Sequence, residues 1–150
     1  MSPLSDYFDK DKIVQLARHS VEIGDVFRMR LTREEGIIPK KGDDSRNKYF
    51  IVLGFDNEGN VFGGVVINSA INQNVPQHIK DLHMPLKVSD YPFLGKDRFV
   101  DCSTLMKPGA EKFTIWEHKG FIKESDVRLI ISTVKTSPRI NGEDIRVFGL

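Results

Sequence analysis

The sequence predicts an α+β fold: a small, strongly bent antiparallel barrel with an N-terminal and a C-terminal helix. Three observations lead there. Apolar residues recur at helical spacing near each end of the chain. Between the ends they fall into five or six short strand-like runs separated by turn residues. One of those runs carries Gly63-Gly64, the kind of break that a small barrel uses at its corners. The 150 residues fit a single domain, 1–150, and are enough to bury a core.

Taken in order, Ser5 to Ser20 reads as a helix capped by Ser5, with Asp6 and Asp9 near its N-terminal end. Phe8, Ile13, Leu16 and Ala17 would share its buried face. After Gly24-Asp25, Phe27, Met29 and Leu31 alternate with Arg28 and Arg30, the period of a half-buried strand. Residues 32–47 form a long polar connection, and a connection of that length usually has a function or is disordered. Tyr49 to Phe55 is a continuous apolar strand, Asp56 to Asn60 a hairpin turn, and Val61 to Ile67 the returning strand. A polar loop, 72–81, holds Pro76 and His78. Leu82, Met84, Leu86 and Val88 then alternate around Pro85, which fits an edge strand. Further strands are expected at Arg98 to Cys102 and Lys112 to Glu117. A helix follows over 123–134, capped by Ser125, with Val127, Ile130, Ile131 and Val134 facing inward. The tail offers an Asn141-Gly142 turn and ends in VFGL; an added strand and a partner-docking segment are both open for it.

Composition is that of an ordinary globular chain: 39% hydrophobic, 29% charged, formal net charge +1. The charge is uneven. Arg28, Arg30, Arg33, Lys40, Lys41, Arg46 and Lys48 face only Glu34, Glu35, Asp43 and Asp44 over the same stretch. Such a segment suits an anionic ligand, although a solvated loop explains any single charge run equally simply. Cys102 is the only cysteine, so no intramolecular disulfide can form, and it reads as a small core residue. With no apolar core of signal-peptide length at the N-terminus, a cytoplasmic protein is expected. No stretch approaches the roughly 20 apolar residues of a membrane helix.

Metal chemistry has no motif to support it. His78 and His83 are five residues apart rather than four, and there is no HExxH and no Cys/His cluster. No metal or other cofactor is expected. Nor is there a phosphate-binding glycine loop or a G-x-S-x-G elbow. What remains is a basic loop, the polar strand end Asn68-Ser69-Ala70 and a strand bearing Asp101. These parts suit cleavage of RNA, where a base takes the 2′-hydroxyl proton, an acid protonates the leaving oxygen and cations stabilise the phosphorane.

The order GDVF, basic loop, NKYFIVLG, GGVVINSAI, FVDCSTL and GFIKESDVRLI, over about residues 23–135, resembles the MazF/PemK family of toxin endoribonucleases. Gly24-Asp25-Val26-Phe27 matches the opening of that family's barrel. Lys48-Tyr49 stands where the family has Arg-Pro, with Arg46 two residues earlier. Ser69-Ala70 falls on its Thr/Ser position, and Asp101 on its acidic position, followed by Ser103-Thr104 instead of the frequent Arg-Thr. The resemblance implies an SH3-like barrel over 23–135, a helical extension over 1–22 and a tail over 136–150 outside it. It implies a homodimer that cleaves single-stranded RNA without metal and is controlled by a cognate antitoxin. The catalytic candidates are then Lys48, Arg46, Ser69 and Asp101. The substrate-binding candidates are Arg28, Arg30, Lys40 and Lys41 of the basic segment, Asn68 at the strand end and His78 in the polar loop.

Each candidate has a plainer reading. Ser69 can simply end a strand, Lys48 and Arg46 can be solvated, and Asp101 can cap a turn or pair with Arg98. Trp116 and Tyr91 can stack on bases or pack in the core. The competing function is a non-catalytic barrel of the same shape that grips a protein target, as the gyrase-poisoning relatives do, or binds nucleic acid without cutting it.

Overall fold

The computed structural model describes residues 10–32, 35 and 45–150. The first helix, α1 (Lys10–Ser20), buries Ile13, Val14 and Ala17, and Val21 continues that face beyond its end. Leu16, expected on the buried face, is 40% exposed, because Val14 takes the inward position and turns the helix. Ser5, Asp6, Phe8 and Asp9 lie outside the described residues.

β1 (Asp25–Thr32) alternates as its sequence predicts, with Phe27, Met29 and Leu31 buried on one side. It pairs antiparallel with β2 (Ser45–Phe55), from Val26↔Ile51 to Thr32↔Ser45. β2 therefore begins four residues before the expected Tyr49. Its first residues are polar, so hydropathy hides them, but their backbone completes the ladder opposite Met29–Thr32. Arg46 and Lys48 thus sit on a strand and not in a loop.

β3 (Phe62–Asn68) returns after the predicted turn, in which Gly59 has φ of 71°. The ladder slips between Val52 and Gly54 and again between Gly64 and Val66, and these irregularities bend the sheet. The glycines there are also spatial necessities. A Cβ on Gly63 would lie 2.5 Å from the Phe148 ring, and one on Gly64 would lie 2.0 Å from the Ile51 carbonyl oxygen.

A short helix, α2 (Gln77–Lys80), interrupts the expected polar loop and leads into β4 (His83–Leu86), which is an edge strand carrying Pro85 as predicted. β5 (Arg98–Met106) runs four residues past the expected Cys102. Residues 110–115 form a 3-10 helix where a strand was expected. The spacing explains it: Ala110, Phe113 and Trp116 recur every three residues, the 3-10 repeat, and so converge on one side. Trp116 packs against Phe27, Phe62 and Phe113, with ring centroids 5.2–6.0 Å apart. The other edge strand, β6 (Glu117–Phe121), comes only after this turn.

α3 (Glu124–Val134) buries Val127, Ile130 and Val134. Its N-cap is Lys123, without a side-chain cap, so Ser125 lies inside the helix and not at its cap. The Tyr91 hydroxyl substitutes, accepting from the Lys123 N–H at 3.2 Å and donating to Asp126. The tail adds no strand to the sheet. Asn141 caps a short helix, α4 (Gly142–Val147), and Phe148 folds back into the core beside Gly54 and Gly63.

The fold is α+β, and its six strands form one antiparallel sheet in the order β4-β5-β3-β2-β1-β6. No pairing joins β4 to β6 among the described residues, so the sheet has two edges where a closed barrel has none. Apolar clusters cover both faces. One gathers Ile51, Val65, Ile67 and Val100 with α3 and Phe148, and the other gathers Phe27, Phe50, Phe62 and Val66 with α1. No helix among the described residues is long and apolar enough to cross a membrane.

Candidate active site

On the face covered by α1, the apolar cluster stops short of one end of the sheet. Side chains on a strand alternate, so Lys48 and Arg46 share the face of Phe50, and Asn68 shares that of Val66. In the neighbouring strands, His83 is paired with Asp101, and Asp101 with Val66. Beyond the apolar residues this face is therefore polar. A pocket of about 400 Å³ opens over it. The segment 69–72 and Val75 form one wall, with Ile79 of α2 at its side and Arg139, from the stretch after α3, at its rim.

All four predicted catalytic side chains, Arg46, Lys48, Ser69 and Asp101, line this pocket. They come from β2, the end of β3 and β5, so the fold gathers residues up to 55 positions apart in the sequence. Asn68 joins them and accepts a hydrogen bond from Lys48 Nζ at 2.5 Å, which fixes the ammonium beside the strand end. Lys40 and Lys41 lie outside the described residues. The other substrate-binding candidates are elsewhere. Arg28 and Arg30 point to the opposite face of the sheet, where Arg28 and Arg98 each approach the Tyr49 ring to within 5.1 Å. His78 is exposed on α2 and does not line the pocket; Ile79 next to it does.

Asp101 neither pairs with Arg98 nor stands free. Its Oδ1 accepts from the Ser103 N–H at 2.9 Å and from the Ser103 hydroxyl, and His83 Nε2 lies 3.6 Å from the same oxygen. These contacts stabilise a bulge. Between Gly64↔Met106 and Val66↔Asp101, β3 advances two residues while β5 advances five. The excess pushes Ser103 and Thr104 to the pocket. Ser137 closes the bulge from behind: its hydroxyl donates to the Ser103 carbonyl at 2.7 Å and accepts from the Arg139 N–H at 3.2 Å.

His83, Ser103, Thr104 and Arg139 are among the lining residues that the sequence did not offer as site candidates. For His83 a signal existed, since the apolar alternation of Leu82, Met84 and Leu86 puts it on the polar side of its strand. Which polar residue it meets depends on strand register.

Cys102 is fully buried on the other face of β5. Burial, and then the Asp101 charge, push its thiol up to about 12, so it is no nucleophile for this site. Tyr91 is 3% exposed and Trp116 is committed to its aromatic cluster, so neither ring is free to stack on a base. Among the described residues no group of three or more His, Cys, Asp or Glu side chains is arranged to hold a metal ion. The pocket combines cations, hydroxyls and a carboxylate–imidazole pair, a set that can hold a phosphate and move protons around it.

No protein-family model matches the chain, and no curated protein is similar enough to match it.

Proposed function

We propose that the pocket is the active site of an endoribonuclease that cleaves single-stranded RNA without a metal. The observation that carries this reading is the convergence of Arg46, Lys48, Ser69 and Asp101 on one concave surface. Arg46 and Lys48, with Arg139 at the rim, hold the scissile phosphate and offset the charge of the phosphorane. Ser69 donates to a non-bridging oxygen. Oδ2 of Asp101 accepts the 2′-hydroxyl proton, because the Ser103 hydrogen bonds and the 3.6 Å approach of His83 fall on Oδ1. RNA supplies its own nucleophile, so the products are a 2′,3′-cyclic phosphate and a 5′-hydroxyl. In this reading the protein is a divergent toxin of the MazF/PemK kind, its bent sheet an open variant of the SH3-like barrel. It works as a homodimer under the control of a cognate antitoxin.

The deciding assay uses purified protein, single-stranded RNA and excess EDTA. Cleavage to cyclic-phosphate ends is expected. Ser69→Ala and Lys48→Ala should each slow it by about 10²–10³-fold, the usual loss for one transition-state donor, at unchanged Tm. Intact RNA at high protein concentration would reject the reading.

One contact favours the non-catalytic alternative, in which the pocket binds nucleic acid or a protein target. Lys48 is a point charge held by Asn68, where a planar guanidinium would grip phosphate at two points. RNA bound but uncut in the same assay would establish that alternative.

A further inference from the structure

The carboxylate–imidazole pair has a division of labour that the ribonuclease reading leaves open. The imidazole of His83 is 5% exposed and lines the pocket. Its Nδ1 lies 3.0 Å from the Ile79 carbonyl oxygen. A carbonyl only accepts, so Nδ1 carries a hydrogen, and Nε2 is the nitrogen left to act. Nε2 in turn faces Asp101 Oδ1 at 3.6 Å, a second acceptor. Each ring nitrogen thus faces an acceptor, and Nε2 is the one turned toward the carboxylate of the site. Among the described residues the other charged side chains lining the pocket are Arg46 and Lys48 of β2 and Arg139 after α3, and from α2 the Ile79 carbonyl meets the ring. Guanidinium groups do not release protons, Lys48 Nζ is turned to Asn68 Oδ1, and Asp101 is an acceptor.

We propose that His83 is the general acid of this site, an inference that rests on the ribonuclease reading. As the 2′-oxygen bonds to phosphorus and the bond from phosphorus to the 5′-oxygen breaks, the Nε2 proton passes to the departing 5′-oxygen. The 2′-hydroxyl proton goes to Oδ2 of Asp101, so the donor and the acceptor lie side by side along β4 and β5.

The test compares ordinary RNA with an RNA whose scissile 5′-oxygen is replaced by sulfur, because a thiolate leaves without being protonated. His83→Gln should slow cleavage of ordinary RNA by about 10²–10⁴-fold, the usual contribution of a positioned acid. The sulfur-bridged RNA should be cut at close to the wild-type rate. In the wild type, the rate on ordinary RNA should fall on the alkaline side of its pH profile, and that fall should vanish with the sulfur-bridged RNA. The wild-type comparison stands even where His83→Gln fails to fold. Equal slowing of both substrates, or full activity of His83→Gln on ordinary RNA, would overturn the assignment while leaving the ribonuclease reading intact. A wild type that cuts neither RNA would overturn both.

Discussion

At the scale of single residues, Gly63 and Phe148 show how the tail is tied to the sheet. Only the missing Cβ of Gly63 allows the Phe148 ring to lie on β3, since an added carbon would sit 2.5–2.9 Å from three ring atoms. Gly63→Ala should therefore cost about 1–3 kcal/mol in denaturant unfolding, the usual penalty of overpacking. Combined with Phe148→Ala, the two losses should sum to less than their separate values, because the clash needs both partners. Cys102 and Tyr91 make a second prediction. Burial is the leading cause that raises both, Cys102 from 9.0 and Tyr91 from 10.0, each to about 12. The folded protein then keeps protons that the unfolded chain has already released. Their contribution to stability is intact below the unfolded values and is lost as pH rises through the folded ones. Tm should fall progressively between about pH 9 and 12, and Cys102 should resist alkylation at neutral pH unless denaturant is added. Rapid labelling of the native protein would contradict the buried placement.

At the scale of elements, the β5 bulge joins the site to the tail. Ser137 is buried, and its single hydroxyl serves both the Ser103 carbonyl and the Arg139 N–H. Ser137→Ala leaves both groups short of a partner and should cost about 1–3 kcal/mol. It should also weaken RNA binding by releasing Arg139 from the rim. Arg139→Ala should weaken binding comparably but leave unfolding unchanged, since that side chain is exposed. Equal stability losses from both variants would mean that Arg139 serves the fold and not the ligand. These elements also mark the limit of what the sequence made legible. Strict alternation disclosed β1, and apolar runs between turn residues disclosed the cores of β2 and β3. The start of β2 was hidden, because Ser45–Lys48 is polar and is held by its ladder opposite β1. The 3-10 helix was hidden because Phe113 and Ile115 alternate as in a strand, whereas Ile115 is 65% exposed and the packed set is Ala110, Phe113 and Trp116. The bulge was hidden most completely: five residues of β5 against two of β3 is a property of the pair, and neither strand encodes it alone. Asp101 was found through its neighbours in sequence, whereas His83 and Arg139 reach the pocket through register and tail docking.

At the scale of the whole molecule, the sheet divides the basic residues into two sets. Arg46, Lys48 and Arg139 surround the pocket, while Arg28, Arg30 and Arg98 belong to strand positions away from it. In sequence, Arg28, Arg30, Arg46 and Lys48 read as one basic segment, because charge runs ignore the two-residue period that sends alternate side chains to opposite faces. The division predicts how affinity depends on salt. Removing a cation that neutralises one phosphate of a single strand should reduce the slope of log K against log salt by about 0.7. Arg46→Ala and Arg139→Ala should each produce that reduction in a binding titration with a short single-stranded RNA. Arg30→Ala should leave the slope at its wild-type value, because an RNA seated in the pocket does not reach the far face. An equal reduction from Arg30→Ala would mean that the strand passes around the edge of the sheet. The pocket would then be one stop on a longer path, and the Tyr49 ring between two guanidinium groups would become part of the binding surface.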